Sequence, residues 1–405
     1  MKRGIFISGL VISIVILLSL QVMAQGGKIN IGKIKVVPGI TVQELYDDNI
    51  FLGNGTNNTT ELKESDWITH IMPALVFDYS FQERGGLSLG YSGDLAYYSD
   101  NDNNDWQTHK GMFNLNYKAP GGIIIDINII HTDAEDPYGS LEGYGRGLKT
   151  ERSSNDLKTR ICYDFGNRFK ILAYYNCYKQ DYDLPEDFTQ DYDINEFGAG
   201  FQVRLLPKTW GFFRYHFGER YYFTHRGKVT EANDSDFDWH RVNAGLTWDP
   251  GAKLGGELNF GYQLKDYENA TDVGGNRYED KDTWIAETSI TYSATPTIAL
   301  ALRITRAMRE TGSDYNEYFE DTGIGINLQK VILTKFTLTV GGVYSVNDYN
   351  TPREDDNYRA NIDLDYQIKD WLTAGVGYRY EKKDSNYAEN NYTDNKFMIS
   401  LRGVY

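Results

Sequence analysis

The stretch Gly122-Ile123-Ile124-Ile125-Asp126-Ile127-Asn128-Ile129-Ile130-His131 decides the fold. Side chains of an extended chain alternate between two faces. Ile123, Ile125, Ile127 and Ile129 therefore share one face, with Asp126 and Asn128 on the other. The same period returns along the chain. Leu254, Leu258, Phe260, Tyr262 and Leu264 oppose Glu257, Asn259, Gln263 and Lys265. Ile298, Leu300, Leu302 and Ile304 oppose Arg303 and Thr305. Ala360, Ile362, Leu364, Tyr366 and Ile368 oppose Arg359, Asn361, Asp363 and Asp365.

What joins these segments alternates as well. Short connections at Gln82–Gly85, Pro120–Gly122, Gly166-Asn167, Pro207-Lys208, Pro250–Ala252, Thr295–Thr297, Leu333–Lys335 and Lys369-Asp370 take turns with long ones rich in Asp, Asn, Gly and Tyr. Short turns at one end and long loops at the other are the pattern of a barrel that crosses a membrane, with periplasmic turns and extracellular loops. Counting predicts about 18 strands between 37–48 and 393–405, with about 16 as the fallback. The first is the weakest, because Pro38, Glu44, Asp47 and Asp48 interrupt it. The expected fold is all-β: a transmembrane antiparallel up-and-down β-barrel over 37–405, with no separate domain or plug.

The start of the chain reads as an export signal. Lys2 and Arg3 precede an apolar run from Ile5 to Leu20, and Val22-Met23-Ala24 offers a small-residue cleavage pattern. This predicts a signal peptide over 1–24, cleaved in the Sec manner, a periplasmic segment over 25–36 and residence in the bacterial outer membrane. A mean hydropathy of -0.53 fits a barrel as well as a soluble protein, since only alternate strand residues meet lipid. Tyr 32, Phe 19, Trp 7 and Gly 40 against Pro 9 favour the barrel, whose interfaces take aromatic girdles. Net charge is -16, or -18 once Lys2 and Arg3 leave (-16 - 2), which sets nucleic acid aside as a partner.

The last strand is distinctive. Phe397, Ile399, Leu401, Gly403 and Tyr405 share a face and the chain stops on an aromatic, which reads as the terminal signal for barrel-assembly machinery. The other expected partners are outer-membrane lipid and lipopolysaccharide, and a small solute or saccharide.

With the apolar face toward lipid, the polar face lines the interior. Lys158, Arg160, Arg204, Arg214, His216, Arg220 and Arg241 would form a basic wall, with Arg303 on a later strand. Asp78, Asp94, Asp126, Asp363, Asp365 and Glu381 come from strands that would place an acidic wall opposite. Such a transverse field orients water and polar solutes. The plainer reading is that these charges pair with one another and stiffen the barrel. Tyr97, Tyr98, Tyr174, Tyr178, Tyr221, Tyr222 and Tyr267 gather toward the loop ends; a girdle is the expected role, and a sugar-stacking path the other.

No chemistry of catalysis emerges. There is no Gly-x-Ser-x-Gly, His-Glu-x-x-His or Cys-x-x-Cys, so no enzyme is expected, and no cofactor or metal. The run Asp100–Asp105 lacks the Gly and Glu of a calcium loop and reads as a solvated loop. Cys162 and Cys177 fall on opposite faces, so two free thiols are expected.

The segment Tyr46-Asp47-Asp48-Asn49-Ile50-Phe51, followed by Asp66-Trp67-Ile68-Thr69-His70-Ile71-Met72-Pro73, resembles the outer-membrane β-barrel porin family whose members often belong to exopolysaccharide production and export systems. The resemblance implies a barrel with a transport role and carries over no catalytic residue. Asp47 and Asp48 would cap the first loop or hold a cation, capping being preferred. Two functions follow from the sequence: porin-like passage of small hydrophilic solutes or saccharides, or a non-conducting docking barrel of a polysaccharide export or surface-assembly system.

Overall fold

The computed structural model describes residues 29–55, 63–137, 149–166, 168–183, 191–222, 236–248, 253–271, 277–310 and 318–405. The expected signal segment 1–24, loop residues Gly139, Gly143, Gly145 and Gly147, and the Pro250–Ala252 turn lie outside them. The strands are β1 (Ile29–Ile31), β2 (Ile34–Asp47), β3 (Asp66–Ser80), β4 (Gly85–Tyr98), β5 (Trp106–Lys118), β6 (Ile123–Asp136), β7 (Thr150–Asp164), β8 (Phe169–Tyr182), β9 (Tyr192–Leu206), β10 (Thr209–Tyr222), β11 (Phe237–Trp248), β12 (Leu254–Tyr267), β13 (Lys281–Thr295), β14 (Ile298–Glu310), β15 (Tyr318–Ile332), β16 (Phe336–Tyr349), β17 (Glu354–Lys369), β18 (Leu372–Ser385) and β19 (Tyr392–Val404).

Each strand pairs antiparallel with the next, and β19 returns to pair with β2 through Val404↔Gly39 to Lys396↔Asp47. Of the 19 strands in the sheet, β1 only hairpins onto the base of β2 (Ile29↔Val36), so β2 to β19 form a closed ring of 18. Closure removes the free edges that would be costly in lipid. Pro38 fits because it sits at the last rung, where its carbonyl accepts from the Tyr405 amide at 3.0 Å. The Asp47-Asp48 run lies at the loop end of β2, where Asp48 caps the chain rather than breaking the strand.

Turn chemistry sets the periplasmic rim. Gly85, at φ 113°, closes the β3–β4 turn against β5. A Cβ there would come within 2.1 Å of the Asn116 carbonyl oxygen, so the approach requires glycine.

The register makes the two faces explicit, since directly paired residues share a face. One face carries an exposed apolar band that includes Ile40, Val42, Ile71, Leu89, Ile129, Ile161, Phe201, Leu300, Ile326, Leu364 and Ile399. Aromatic residues bound this band at both ends. Near the turns, Tyr163 meets Phe165, Phe169 stacks on Phe201, and Phe201 on Phe213. Nearer the loops, outward tyrosines donate to neighbouring acids, as Tyr344 does to Asp356 at 2.6 Å. Amphipathic rings fit the wet–apolar boundary, which locates the membrane on the barrel. Cys162 and Cys177 stand free, on opposite faces of β7 and β8.

Candidate functional site

The inner face is the one that pairing assigns opposite the apolar band, and all thirteen candidate Lys, Arg, Asp and Glu residues lie on it. Nine of them fall into two unlike regions, and four lie on β14, β17 and β18.

Over β3 to β8 the inner face is open. Asp78, Asp126, Lys158 and Arg160 line one cavity of about 670 Å³ together with Ser88, Asn114, Asn116, Asn128, Tyr174 and Asn176. These residues come together by pairing across neighbouring strands: Asp78↔Ser88, Ser88↔Asn114, Asn114↔Asn128, Asn128↔Lys158 and Lys158↔Asn176. Several of these side chains are short, and the two cations among them stay accessible. Arg160 holds Asp126 through Nη2 at 2.6 Å and Nε at 2.8 Å, yet its side chain stays 46% exposed. Lys158 reaches Asp156 at 2.8 Å and is 52% exposed. Asn116 donates to Asp126, and Asn128 to Asn114 at 2.5 Å. Asp94 lies nearer the loops, with its carboxylate 2.9 Å from His70 Nδ1.

Over β9 to β13 the inner face is covered by its own side chains. Trp210, Phe212, Tyr222, Phe237 and Trp239 are buried there, and Arg220 is 7% exposed. Gly218 makes room for Trp239 on the next strand; a Cβ at that position would sit 2.1 Å from the indole ring. The arginines lie against this layer. Arg204 stacks over Trp210 at 4.4 Å and donates to the Pro207 carbonyl at 2.9 Å. Arg214 forks onto Glu257 at 2.8 and 2.7 Å and lies 3.9 Å from the Phe212 ring centre. Arg220 stacks over Tyr192 at 3.6 Å, and Arg241 donates to Gln263 at 3.2 and 3.0 Å. Stacking over an aromatic face suits a guanidinium, which is weakly hydrated and planar.

Of the remaining candidates, three are also partnered locally. Arg303 donates to Thr305 at 3.3 Å, Asp363 accepts from Asn361 at 2.7 Å, and Asp365 lies 3.6 Å from Arg402. Glu381 pairs in register with Arg359 and Asp394. The idea of a basic wall facing an acidic wall needs correction. Arg359, Arg379, Lys383, Lys396 and Arg402 share the inner face with Asp363, Asp365 and Glu381, while Asp156 and Glu196 share it with the arginines of β7 to β10. Cross-strand neighbours stand about 5 Å apart, far closer than the opposite wall, so charge is compensated along the sheet.

The tyrosines need correcting too. Tyr98, Tyr174, Tyr178, Tyr222 and Tyr267 sit on the inner face, whereas Tyr97 and Tyr221 face outward. The girdle role therefore holds for Tyr97 and Tyr221 and not for the other five. Strand parity, continued from each apolar run to its loop end, carries the signal that separates the two sets.

Asp47, Asp48 and Asp394 converge at the loop end of the β2–β19 seam, with oxygens within 4.8 Å of one another. Lys396 already places its ammonium 3.0 Å from Asp47 and 2.9 Å from Asp394. Asp48 accepts from the Asn395 amide at 2.7 Å, which is the capping role. In the loop at 100–105, Asp66 accepts from the Asp100 and Asn101 amides at 3.2 and 3.0 Å, and Asp105 from the Tyr98 amide at 2.7 Å. These carboxylates hold turns together.

A closed ring with an apolar outer band, two aromatic boundaries and a polar interior agrees with the family comparison. Residues 24–405 match the model of the family described as Putative beta-barrel porin 2. The chain belongs to this family. As a porin-like outer-membrane barrel, it is also similar in structure to Pseudomonas aeruginosa OccK3 (OpdO), with 13% identity over 91% of this chain and 95% of that one and a TM-score of 0.44. Acinetobacter baumannii OccAB4 matches with 9% identity, coverage of 91% and 98%, and a TM-score of 0.45. The siderophore receptor PiuA from Acinetobacter baumannii matches with 11% identity, coverage of 94% and 82%, and a TM-score of 0.47. No curated protein matches the sequence of this porin-family barrel.

Proposed function

We propose that the barrel passes small hydrophilic solutes or saccharides across the outer membrane, along the open inner face of β3 to β8. One observation carries this reading: the cavity of about 670 Å³ into which hydroxyls, amides and the side chains of Asp78, Asp126, Lys158 and Arg160 project, beside Tyr79, Leu87, Leu115, Ile127 and Tyr174. Amides and hydroxyls both donate and accept, so they exchange hydrogen bonds with water or a sugar at little net cost. The ion pairs Arg160–Asp126 and Lys158–Asp156 keep the surface polar without a strong net field. In this reading Lys158, Arg160, Asp78 and Asp126 contact the solute, while Arg204, Arg214, Arg220, Arg241 and Arg303 hold their own wall. It assigns no catalytic group and no cofactor. It places the chain in the outer membrane after removal of 1–24, and assembly begins from the strand ending at Tyr405.

The covered inner face of β9 to β13 favours a second reading, a docking barrel with a closed lumen, for which a polysaccharide export system is the proposed setting. Conductance across a planar bilayer separates the two. The folded full chain is expected to give stable single-channel steps, and its vesicles to swell in sucrose. A folded sample silent at every voltage overturns the solute path and leaves the docking barrel.

A further inference from the structure

At the loop end of the barrel, most neighbouring strands stay paired to their last residues. Arg220↔Phe237, Phe237↔Tyr267, Lys265↔Lys281, Glu310↔Tyr318 and Phe319↔Tyr349 are such terminal rungs. Between β13 and β14 the ladder stops early, at Ala286↔Arg306. Continuing that register would pair Ile285 with Ala307 and, further up, Asp282 with Glu310; among the described residues these rungs do not form. Both stretches remain extended and bonded on their other sides, 281–285 to β12 and 307–310 to β15. The wall therefore has a seam whose two edges face each other without backbone bonds.

Side chains close this seam. Arg306 shares its face with Leu302 and Ile304, the outer one, yet its Nη2 donates to Oγ1 of Thr283, which pairs with Gln263 on the inner face. Arg306 also donates to Thr322 at 2.6 Å and to Glu320, and lies 4.7 Å over the outward ring of Trp284. Glu310 belongs to the same face as Arg306, and its carboxylate turns inward to the buried ammonium of Lys265. Both contacts run from an outer-face position to an inner-face one, which a continuous ladder would block.

On its other side, β13 is held loosely as well. The β12–β13 rungs between Glu257↔Ser289 and Phe260↔Ala286 are missing, and Thr288 Oγ1 stands in, accepting from the Asn259 amide at 3.1 Å and donating to its carbonyl at 3.3 Å. The seam begins at the height of Trp284, half exposed on the outer face beside Tyr262. Such rings mark the headgroup level.

We propose that the β13–β14 seam is a lateral passage between the lumen and the outer leaflet, used by an amphiphile whose polar head occupies the wet interior while its apolar tail stays in the bilayer. Backbone groups left without partners inside hydrocarbon would be costly, whereas at headgroup height they reach water or a lipid head. Opening requires that Arg306 release Thr283 and the Trp284 ring, that Glu310 release Lys265 and that Lys281 release Glu320, with no backbone rung among the described residues to break. The proposal goes beyond solute passage and needs only the closed barrel.

The test locks the seam. In full-length barrel carrying Cys162→Ala and Cys177→Ala, Ile285→Cys with Ala307→Cys places thiols opposite each other across it. The probe is lysophosphatidylcholine bearing a fluorophore on its chain, in phosphatidylcholine vesicles, with extraction by albumin as the measure of crossing. Crossing is expected in the reduced barrel, lost after oxidation and restored by reductant, with sucrose entry into the same vesicles unchanged. Equal crossing in both redox states overturns the passage. Independently, hydrogen exchange of the unmodified protein should show the alternate amides of 282–285 and 307–310 that point into the seam, not those bonded to β12 and β15, exchanging at least about tenfold faster than amides at the same height in β15 and β16. Equal protection there overturns the open seam whatever the disulfide variant does. Sucrose entry reports solute passage separately, so either reading can fail without the other.

Discussion

The inner faces of β4–β7 and β9–β13 obey the same alternation and end in opposite states. Around the cavity on β4–β7 the inner positions are Ser88, Asn114, Asn116, Asp126 and Asn128, and Lys158 and Arg160 stay about half exposed. On β9–β13 the equivalent positions hold Trp210, Phe212, Tyr222 and Trp239, and the charges among them are shielded, with Arg214 only 15% exposed. Period-2 patterning decides which way a side chain points. Its size and its neighbours decide whether that face remains a surface. A charge on the open wall can act on a solute, while one on the covered wall mainly satisfies its own partner.

This contrast can be broken most directly at the covered wall. Trp210→Ala removes a ring that is 2% exposed and stacked by Arg204 and Lys170. It should cost about 3–5 kcal/mol, seen as a lower urea midpoint in refolding followed by electrophoretic mobility. A loss near zero would show that the layer is not packed. Glu257→Gln leaves Arg214 with half its fork and should cost about 2 kcal/mol in the same assay. By contrast, Lys158→Glu with Arg160→Glu on the open wall should change stability by under about 1 kcal/mol. The same pair should shift reversal potential in a salt gradient toward cation selectivity. The smallest effect is expected from Arg241→Ala on that potential, because Gln263 and its own wall already occupy this guanidinium. If Arg241→Ala moves selectivity more than the Lys158 and Arg160 pair does, the assignment of the two walls is reversed.

Much of the barrel was legible in the chain because each hairpin is a local object. The alternation at Ile123–Ile129 and the turn at Gln82–Gly85 each read correctly without knowledge of the rest. The candidate site was legible only in part. Asp126 and Arg160 were assigned to the inner face, but not to each other, since their pairing depends on register across the β6–β7 hairpin. Tyr174 and Tyr222 read as girdle residues from their positions near loop ends, whereas their parity turns them inward. The covering of β9–β13 is not legible along the chain, because it comes from residues about twenty or more positions apart, such as Gly218 and Trp239.

By itself, then, the sequence determined the container: period-2 hydrophobicity, turn residues and strand number are local properties, and a closed ring is what they permit in lipid. The tertiary structure decided which charges neutralise one another, which half of the interior stays open and where the β13–β14 ladder stops. The physical reason is range. Alternation is set by the pleat of one strand, whereas ion pairs, stacking and missing rungs depend on which residues register places side by side.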